Sequence, residues 1–328
     1  MAETTTWDEY IERVRRYVDT GRIDTDELNY KREVARELGG VREAVLSGKP
    51  NWLDLVRTVT PDYVNNLCHW LSRDDLLKWF DEDEHGASEA LRKLWAPYEH
   101  SPGEAAPTAD VIERVRAFAG RMPRDTIRGA GTRMRLISFL LMGLDAERYP
   151  PFMTTVFAAT YELTKYRGPP RDADEAALYQ HALGFLDRLV EEADKLDRPR
   201  TRLEAQSVMF GVWYPRDQFN ASVKRFSAAM SKGNQQDAQE QLGKMAELLD
   251  RLQEHESVDR HEEFSDRYRA CKAEYEKRFD LPPYPPPDAQ PDLQSLADEL
   301  LLDAGALQKI RKLLDDKRQV IFQGPPGT

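Results

Sequence analysis

The chain has 328 residues, 40% of them hydrophobic and 32% charged, and a formal net charge of −11 at pH 7. This length is sufficient for two domains with sizeable cores. The acidic balance argues against a protein that coats nucleic acid through a basic surface over the whole molecule. No apolar run approaches the roughly 20 residues that cross a bilayer, and the N-terminal residues are not those of a signal peptide. We expect a cytoplasmic protein that does not bind membranes.

The residue types that carry most enzyme chemistry are scarce or unsuitably spaced. Cys68 and Cys271 lie far apart in the sequence, so neither a disulfide framework nor a zinc site is expected. The six histidines form no metal-ligand motif, and no Ser/His/Asp, Cys/His or paired-carboxylate spacing is recognisable. The sequence therefore predicts no catalytic residue and no metal site.

Apolar side chains recur every three or four residues in the first hundred residues, which predicts a series of amphipathic helices. The predicted helices cover about 7–20, 25–38 with a continuation over 41–46, 61–71 and 72–80. Four tryptophans are concentrated in this part, and we interpret them as core residues rather than base-stacking platforms. They are Trp52, Trp70, Trp79 and Trp95.

The segment Ser-Pro-Gly-Glu-Ala-Ala-Pro after His100 has the strongest linker composition in the first half of the chain. We place a domain boundary there. The predicted organisation is a helical N-terminal domain over 1–105 and a larger helical domain over 106–280, followed by a proline-rich linker over 281–292 and a final segment over 293–328.

An unusual density of arginine follows in this acidic chain. Five arginines surround Gly129-Ala130-Gly131-Thr132, and Asp125 is the one acid among them. Glycine permits close approach of a ligand to the backbone, and several guanidinium groups within reach of one another suit phosphate oxygens. The alternative is a solvated turn whose arginines pair with acids elsewhere in the chain. The candidate DNA or phosphate contacts are Arg121, Arg124, Arg128, Arg133 and Arg135.

A second cationic loop carries an aromatic residue. Lys165-Tyr166-Arg167 stands before Gly168-Pro169-Pro170, at the end of a predicted buried helix. Cations beside a flat ring are typical of surfaces that bind nucleic acid. We therefore add Lys165 and Arg167 to the candidate contacts.

The remaining helices are predicted from the same periodicity. Residues 136–142 are apolar on all sides, which is typical of a helix at the centre of a core. His181 lies on the apolar side of a helix predicted over 174–196 and is interpreted as a core histidine. A helix that starts near Thr201 ends at Trp213-Tyr214-Pro215, and we favour packing over stacking for Trp213. Further helices are predicted over 218–230, 235–253 and 258–279, and a narrow apolar seam in the second of them suggests a helical hairpin or short coiled coil.

The C-terminal part contains two recognisable signals. The proline-rich segment 281–287 excludes a helix and predicts a semi-rigid spacer, although it also suits an SH3-like partner. Helices predicted over 293–302 and 304–314 lead to a short strand, Val320-Ile321-Phe322, and a Gly-Pro-Pro-Gly-Thr turn. This turn matches the beginning of the phosphate-binding motif G-x-x-x-x-G-K-[ST]; the alternative is a plain turn.

The run from Leu307 to Thr328 resembles the opening of the AAA+ motor of McrB-like proteins, the nucleotide-driven subunits of modification-dependent restriction systems. A weaker similarity covers 179–213. The resemblance implies that 293–328 are the first helix and strand of an α/β motor domain truncated inside the Walker A motif, so that the fold is mainly α with this α/β beginning. It also implies a partial nucleotide-binding loop at Gly324, Pro325, Pro326, Gly327 and Thr328.

The resemblance also implies a function. McrB-like proteins recognise modified DNA through variable N-terminal regions, and their rings, driven by GTP or ATP with Mg²⁺, activate a McrC-type nuclease. These residues are then expected to be the recognition region and to bind no cofactor themselves. The NTPase activity and the homo-oligomeric ring belong to the full-length protein. The alternative is a helical protein-interaction module that senses a partner and gates the motor without binding DNA.

Overall fold

The computed structural model describes residues 7–59, 67–97 and 108–279. Within these ranges the chain consists of α-helices and one π-helical turn and has no strand, so the mainly α prediction is confirmed. The predicted linker after His100 and everything from residue 280 onward, including the predicted strand, lie outside the described residues. The helices are α1 (Trp7–Asp19), α2 (Asn29–Ser47), α3 (Trp52–Thr58), α4 (Trp70–Glu82), α5 (Glu84–Leu94), α6 (Thr108–Ala119), α7 (Ala130–Asp145), α8 (Thr154–Thr164), α9 (Glu175–Glu192), α10 (Arg202–Lys232), α11 (Gln235–His255) and α12 (Val258–Arg278), and the π-helical turn is Asp24–Leu28.

The chain divides into two compact units, 1–272 and 273–328. The first unit contains a continuous hydrophobic core to which helices from α1 to α10 contribute, so both predicted helical domains supply residues to the same core. Of the second unit the structure describes only 273–279, which lie at the C-terminal end of α12 and just beyond it. No helix in the described ranges is long and apolar enough to cross a membrane.

The helix α7 supplies the centre of the core. Leu136, Ile137 and Leu140 are fully buried, because apolar side chains cover every side of this helix. The predicted central helix is confirmed. α7 packs against α2, α6 and α9, and this packing determines where the loop before it reaches the surface.

Two helices run through residues that were expected to interrupt or end them. α2 continues through Gly39-Gly40 and ends at Gly48, which has φ 72°. α10 is 31 residues long and continues through Pro215, although proline removes one backbone hydrogen bond and is disfavoured inside a helix. Burial of Phe210 and Phe219 on either side of Pro215 offsets this local cost, so the predicted helix end at Pro215 is wrong.

Three of the four N-terminal tryptophans are core residues, as predicted. Trp52, Trp79 and Trp95 are buried, and the indole of Trp95 donates to the Leu140 carbonyl at 3.0 Å. Trp70 is the exception. It begins α4 with 54% of its surface exposed, because the helix begins two residues before the expected cap and turns this position towards solvent.

A fully buried ammonium connects α2 to α10. Lys31 is 1% exposed and lies 2.6 Å from the Glu27 carboxylate, one turn earlier. Its Nζ also donates to Gln206 Oε1 at 2.7 Å and to Ser207 Oγ at 3.0 Å, both on α10. Three acceptors replace the water that the ammonium loses on burial.

A second buried charge cluster connects α1 to the turn between α11 and α12. The Glu256 carboxylate lies 3.6 Å from the Arg13 guanidinium and 3.4 Å from that of Arg216. Arg16 donates to the Glu256 backbone carbonyl at 2.7 Å. α1 and α10 are therefore held to the turn between α11 and α12 at one carboxylate, in a position where a lone charge would be strongly destabilising.

We predict that Lys31→Met lowers the free energy of unfolding by about 3–5 kcal/mol, because it leaves the Glu27 carboxylate buried without its cation. Burial already raises the pKa of Glu27. Without Lys31, Glu27 must take up a proton to stay buried, so the deficit should be larger at pH 8 than at pH 5. Urea titrations followed by helical circular dichroism at both pH values measure the effect.

The matched control is Arg36→Met on the same helix, since the Arg36 side chain is 76% exposed. It should change the free energy of unfolding by less than about 0.5 kcal/mol. Equal, small effects of both substitutions would contradict the account of Lys31.

Candidate nucleic-acid interface

The loop between α6 and α7, residues 120–129, carries the first group of candidate arginines. Met122 and Ile127 are buried and anchor the loop on the core. Arg121, Arg124 and Arg128 are exposed, and Arg128 Nε donates to the Asp125 backbone carbonyl at 2.9 Å. No carboxylate in the described ranges forms an ion pair with these three arginines, so their charge is directed to solvent.

Arg133 is directed into the protein. It is 7% exposed, its Nε donates to Glu175 Oε1 at 2.5 Å, and its Nη1 donates to the Ile127 carbonyl at 2.9 Å. One guanidinium thereby joins the loop, the first turn of α7 and the first residue of α9. Arg133 therefore positions the loop and does not present its charge to a ligand.

Arg135 is also engaged within the protein. It is partly buried, and its Nε donates to the Leu67 backbone carbonyl at 2.8 Å. Burial lowers the pKa of this guanidinium, but an arginine remains charged at neutral pH. Of the five arginines predicted as contacts, three face solvent and two serve internal hydrogen bonds.

The second cationic loop begins where α8 ends. Lys165 has φ 59°, a left-handed conformation that ends the helix, and both it and Arg167 are exposed. His181 Nε2 donates to the Arg167 carbonyl at 2.8 Å, which leaves Nδ1 to accept from the Tyr161 hydroxyl at 3.1 Å. Partial burial lowers the pKa of His181. Both ring nitrogens have hydrogen-bond partners, as expected, but His181 is only partly buried and is not the core residue that was predicted. It fixes the backbone of the loop.

The two loops approach the same end of α9. Arg133 binds Glu175, and Arg116 at the end of α6 lies 3.3 Å from Asp174, the residue that caps α9. The loop 165–173 leads directly into Asp174. The structure thus brings both cationic segments to the N-terminal end of α9, although they are far apart in the sequence.

Arg171 is a cation that the sequence analysis did not select. It is exposed, it follows Gly168-Pro169-Pro170, and it has no ion pair with the described residues. Its position in the same loop as Lys165 and Arg167 was the available signal. Trp213 is half-buried and packs on Phe210 with ring centroids 5.7 Å apart. This agrees with the prediction that it packs within the protein.

The predicted nucleotide-binding loop, 324–328, lies outside the described residues. Within the described ranges no cluster of three or more His, Cys, Asp or Glu side chains is arranged to hold a metal ion. No family model, curated protein or solved structure matches this chain. The functional interpretation therefore depends on the exposed cations themselves.

We predict different consequences for two neighbouring arginines. Arg133→Met should lower the free energy of unfolding by about 3 kcal/mol, because Glu175 then stays buried without a cation and the Ile127 carbonyl loses its donor. Arg128→Met, the matched control in the same loop, should cost less than about 0.5 kcal/mol. Urea titration measures both changes, and a larger loss for Arg128→Met would refute this assignment of roles.

Proposed function

We propose that this chain is the recognition region of an McrB-like, nucleotide-driven restriction subunit and that it contacts DNA phosphates through loops 120–129 and 165–173. The observation that carries the proposal is a group of exposed cations without carboxylate partners in the described ranges of an acidic protein. They are Arg121, Arg124, Arg128, Lys165, Arg167 and Arg171.

These cations contrast with many exposed arginines elsewhere in the chain. Those arginines form ion pairs within the protein, often with an acid three or four residues away on the same helix, so their charge is locally balanced. Examples are Arg15 with Glu12, Arg57 with Asp54, Arg188 with Glu191 and Arg269 with Asp266. An arginine without such a partner is free to neutralise a phosphate.

The buried contacts support binding without large rearrangement. Arg133 holds the first loop through Ile127, and His181 holds the second through the Arg167 carbonyl. Side chains on an anchored backbone lose less freedom when they bind. Phosphate contacts position a protein on DNA and carry no sequence information directly, so selectivity for a modified base remains a proposal that rests on the resemblance.

The resemblance adds partners for the motor. GTP or ATP with Mg²⁺, a homo-oligomeric ring and a McrC-type nuclease are proposed for the complete subunit. We assign none of these contacts to the described residues. The role of the described helices in this scheme is to hold the DNA while the motor acts.

A protein-interaction module is the second candidate. Arg133 and Arg135 serve internal contacts, which reduces the cationic surface. In addition, Trp70 and Leu71 expose 54% and 51% of their surface at the start of α4, and adjacent exposed apolar residues are a feature of protein-binding surfaces. This module would gate the motor without contacting DNA.

We predict that the chain binds duplex DNA with an affinity that falls as salt rises, by about 0.9 in log K per log salt for each phosphate contact. Replacing Arg121, Arg124 and Arg128 together by Gln should flatten this slope by up to about 2.7 and weaken binding to all sequences alike. Fluorescence anisotropy over a salt series measures the slope on plain, methylated and hydroxymethylated duplexes.

The control triple is Arg36→Gln, Lys224→Gln and Arg225→Gln, exposed cations on α2 and α10 that change the net charge equally. It should leave the slope almost unchanged. Equal slopes for both triples would show that any binding follows from net charge alone, and the absence of binding by the intact chain would favour the protein-interaction module.

A further inference from the structure

A small pocket opens between α1, the π-helical turn, α10 and α11, and none of its lining residues belongs to the two cationic loops. Its volume is about 190 Å³. A cavity of about 150 Å³ accepts benzene, so this pocket has room for one aromatic ring with two small substituents. Its walls are aromatic and charged, and they include Tyr17, Asp26, Glu27, Phe210, Tyr214 and Arg251.

The π-helical turn brings two consecutive acids to the pocket. In an α-helix neighbouring residues point in different directions, yet Asp26 and Glu27 both line this cavity. π-helical turns occur frequently at functional sites. The turn therefore contributes two adjacent acidic residues to the wall of the cavity.

One oxygen of Glu27 is available to a ligand. Oε2 is 2.6 Å from Lys31 Nζ and accepts from the Tyr30 hydroxyl at 3.1 Å. Oε1 forms no hydrogen bond with the described residues, although Glu27 is a buried residue at the pocket wall. Because Lys31 already balances the charge of this carboxylate, Oε1 suits an uncharged N–H donor better than a second ammonium.

Aromatic side chains give the cavity apolar walls. The rings of Phe210 and Tyr214 stack on each other, with centroids 5.4 Å apart and 22° between their planes. Tyr17 approaches α10 at Gly211, where a Cβ atom would lie 2.2 Å from the tyrosine Cζ. Only glycine permits this approach, and it brings a third ring to the cavity.

An unpaired guanidinium completes the site. Arg22 is bound to Glu254 at 2.8 Å. Arg251, in contrast, is exposed and has no ion pair with the described residues. It also lines the pocket and can therefore accept an anionic group at the pocket entrance.

We propose that this pocket binds a small aromatic anion that carries an amino group, with the amino group at Glu27 Oε1, the ring against Phe210, Tyr214 and Tyr17, and the anionic group at Arg251. The assignment follows from the complementarity of three walls: an uncharged donor for the inner carboxylate, a flat face for the rings, and a negative charge for the outer guanidinium.

The test uses 4-aminobenzoate as the probe, with benzoate and aniline as probes that lack one group each. Calorimetry on the full chain should give a Kd of about 1 mM or tighter for 4-aminobenzoate. Benzoate and aniline should each bind at least about fivefold more weakly. No binding of 4-aminobenzoate at about ten times that concentration would overturn the proposal.

Arg251→Gln decides whether the binding occurs in this pocket. It should weaken the binding of 4-aminobenzoate about tenfold and leave the affinity for aniline unchanged, because only the anionic group contacts the guanidinium. Arg225→Gln, an exposed arginine of α10 outside the pocket, should leave both affinities unchanged. Equal effects of the two substitutions on 4-aminobenzoate would place the probe elsewhere and refute the assignment. Both positions are exposed, and circular dichroism verifies that the variants are folded.

Discussion

The buried ammonium of Lys31 is the constraint on which the packing of the N-terminal helices depends. A charge without water requires acceptors at close range, and Lys31 obtains them from Glu27 and from Gln206 and Ser207 on α10. These contacts are directional, unlike those of the surrounding apolar side chains, and they join segments about 175 residues apart. The Glu256 cluster connects α1 and α10 to the turn between α11 and α12 by the same chemistry. The helices that surround the core are thus held to one another by a few buried charges as well as by the hydrophobic effect.

The same physics separates the arginines of the candidate interface into two groups. Arg133 is buried, and its contacts with Glu175 and the Ile127 carbonyl offset the cost of desolvation. These contacts determine the position of the loop. Arg121, Arg124 and Arg128 stay hydrated and retain their charge for a ligand. The residue that positions the loop and the residues available to contact a ligand are therefore different members of one short segment. This division explains how an acidic protein can present a cationic surface of limited size.

Most of the fold could be predicted because a helical period is visible in the sequence alone. The continuation of α10 through Pro215 could not be predicted. The tendency of proline to end a helix is visible in the sequence, but the burial of side chains on both sides of Pro215, which outweighs it, depends on the tertiary structure. The burial of Lys31 could have been inferred from the sequence, because this residue lies on the apolar stripe of α2. The pairing of Arg133 with Glu175 left none, because nothing in the local sequence of either residue identifies the other. The composition predicted an arginine cluster, and only the tertiary structure separates its buried members from its exposed ones.

The central claim is that DNA contacts the two loops at the N-terminal end of α9. Amide hydrogen exchange of the chain, with and without a saturating plain duplex at low salt, tests it by location. The account predicts slower exchange in residues 120–129 and 165–173, and no change in α10 and α11. Slower exchange confined to other segments, or none under conditions where anisotropy shows binding, would contradict it.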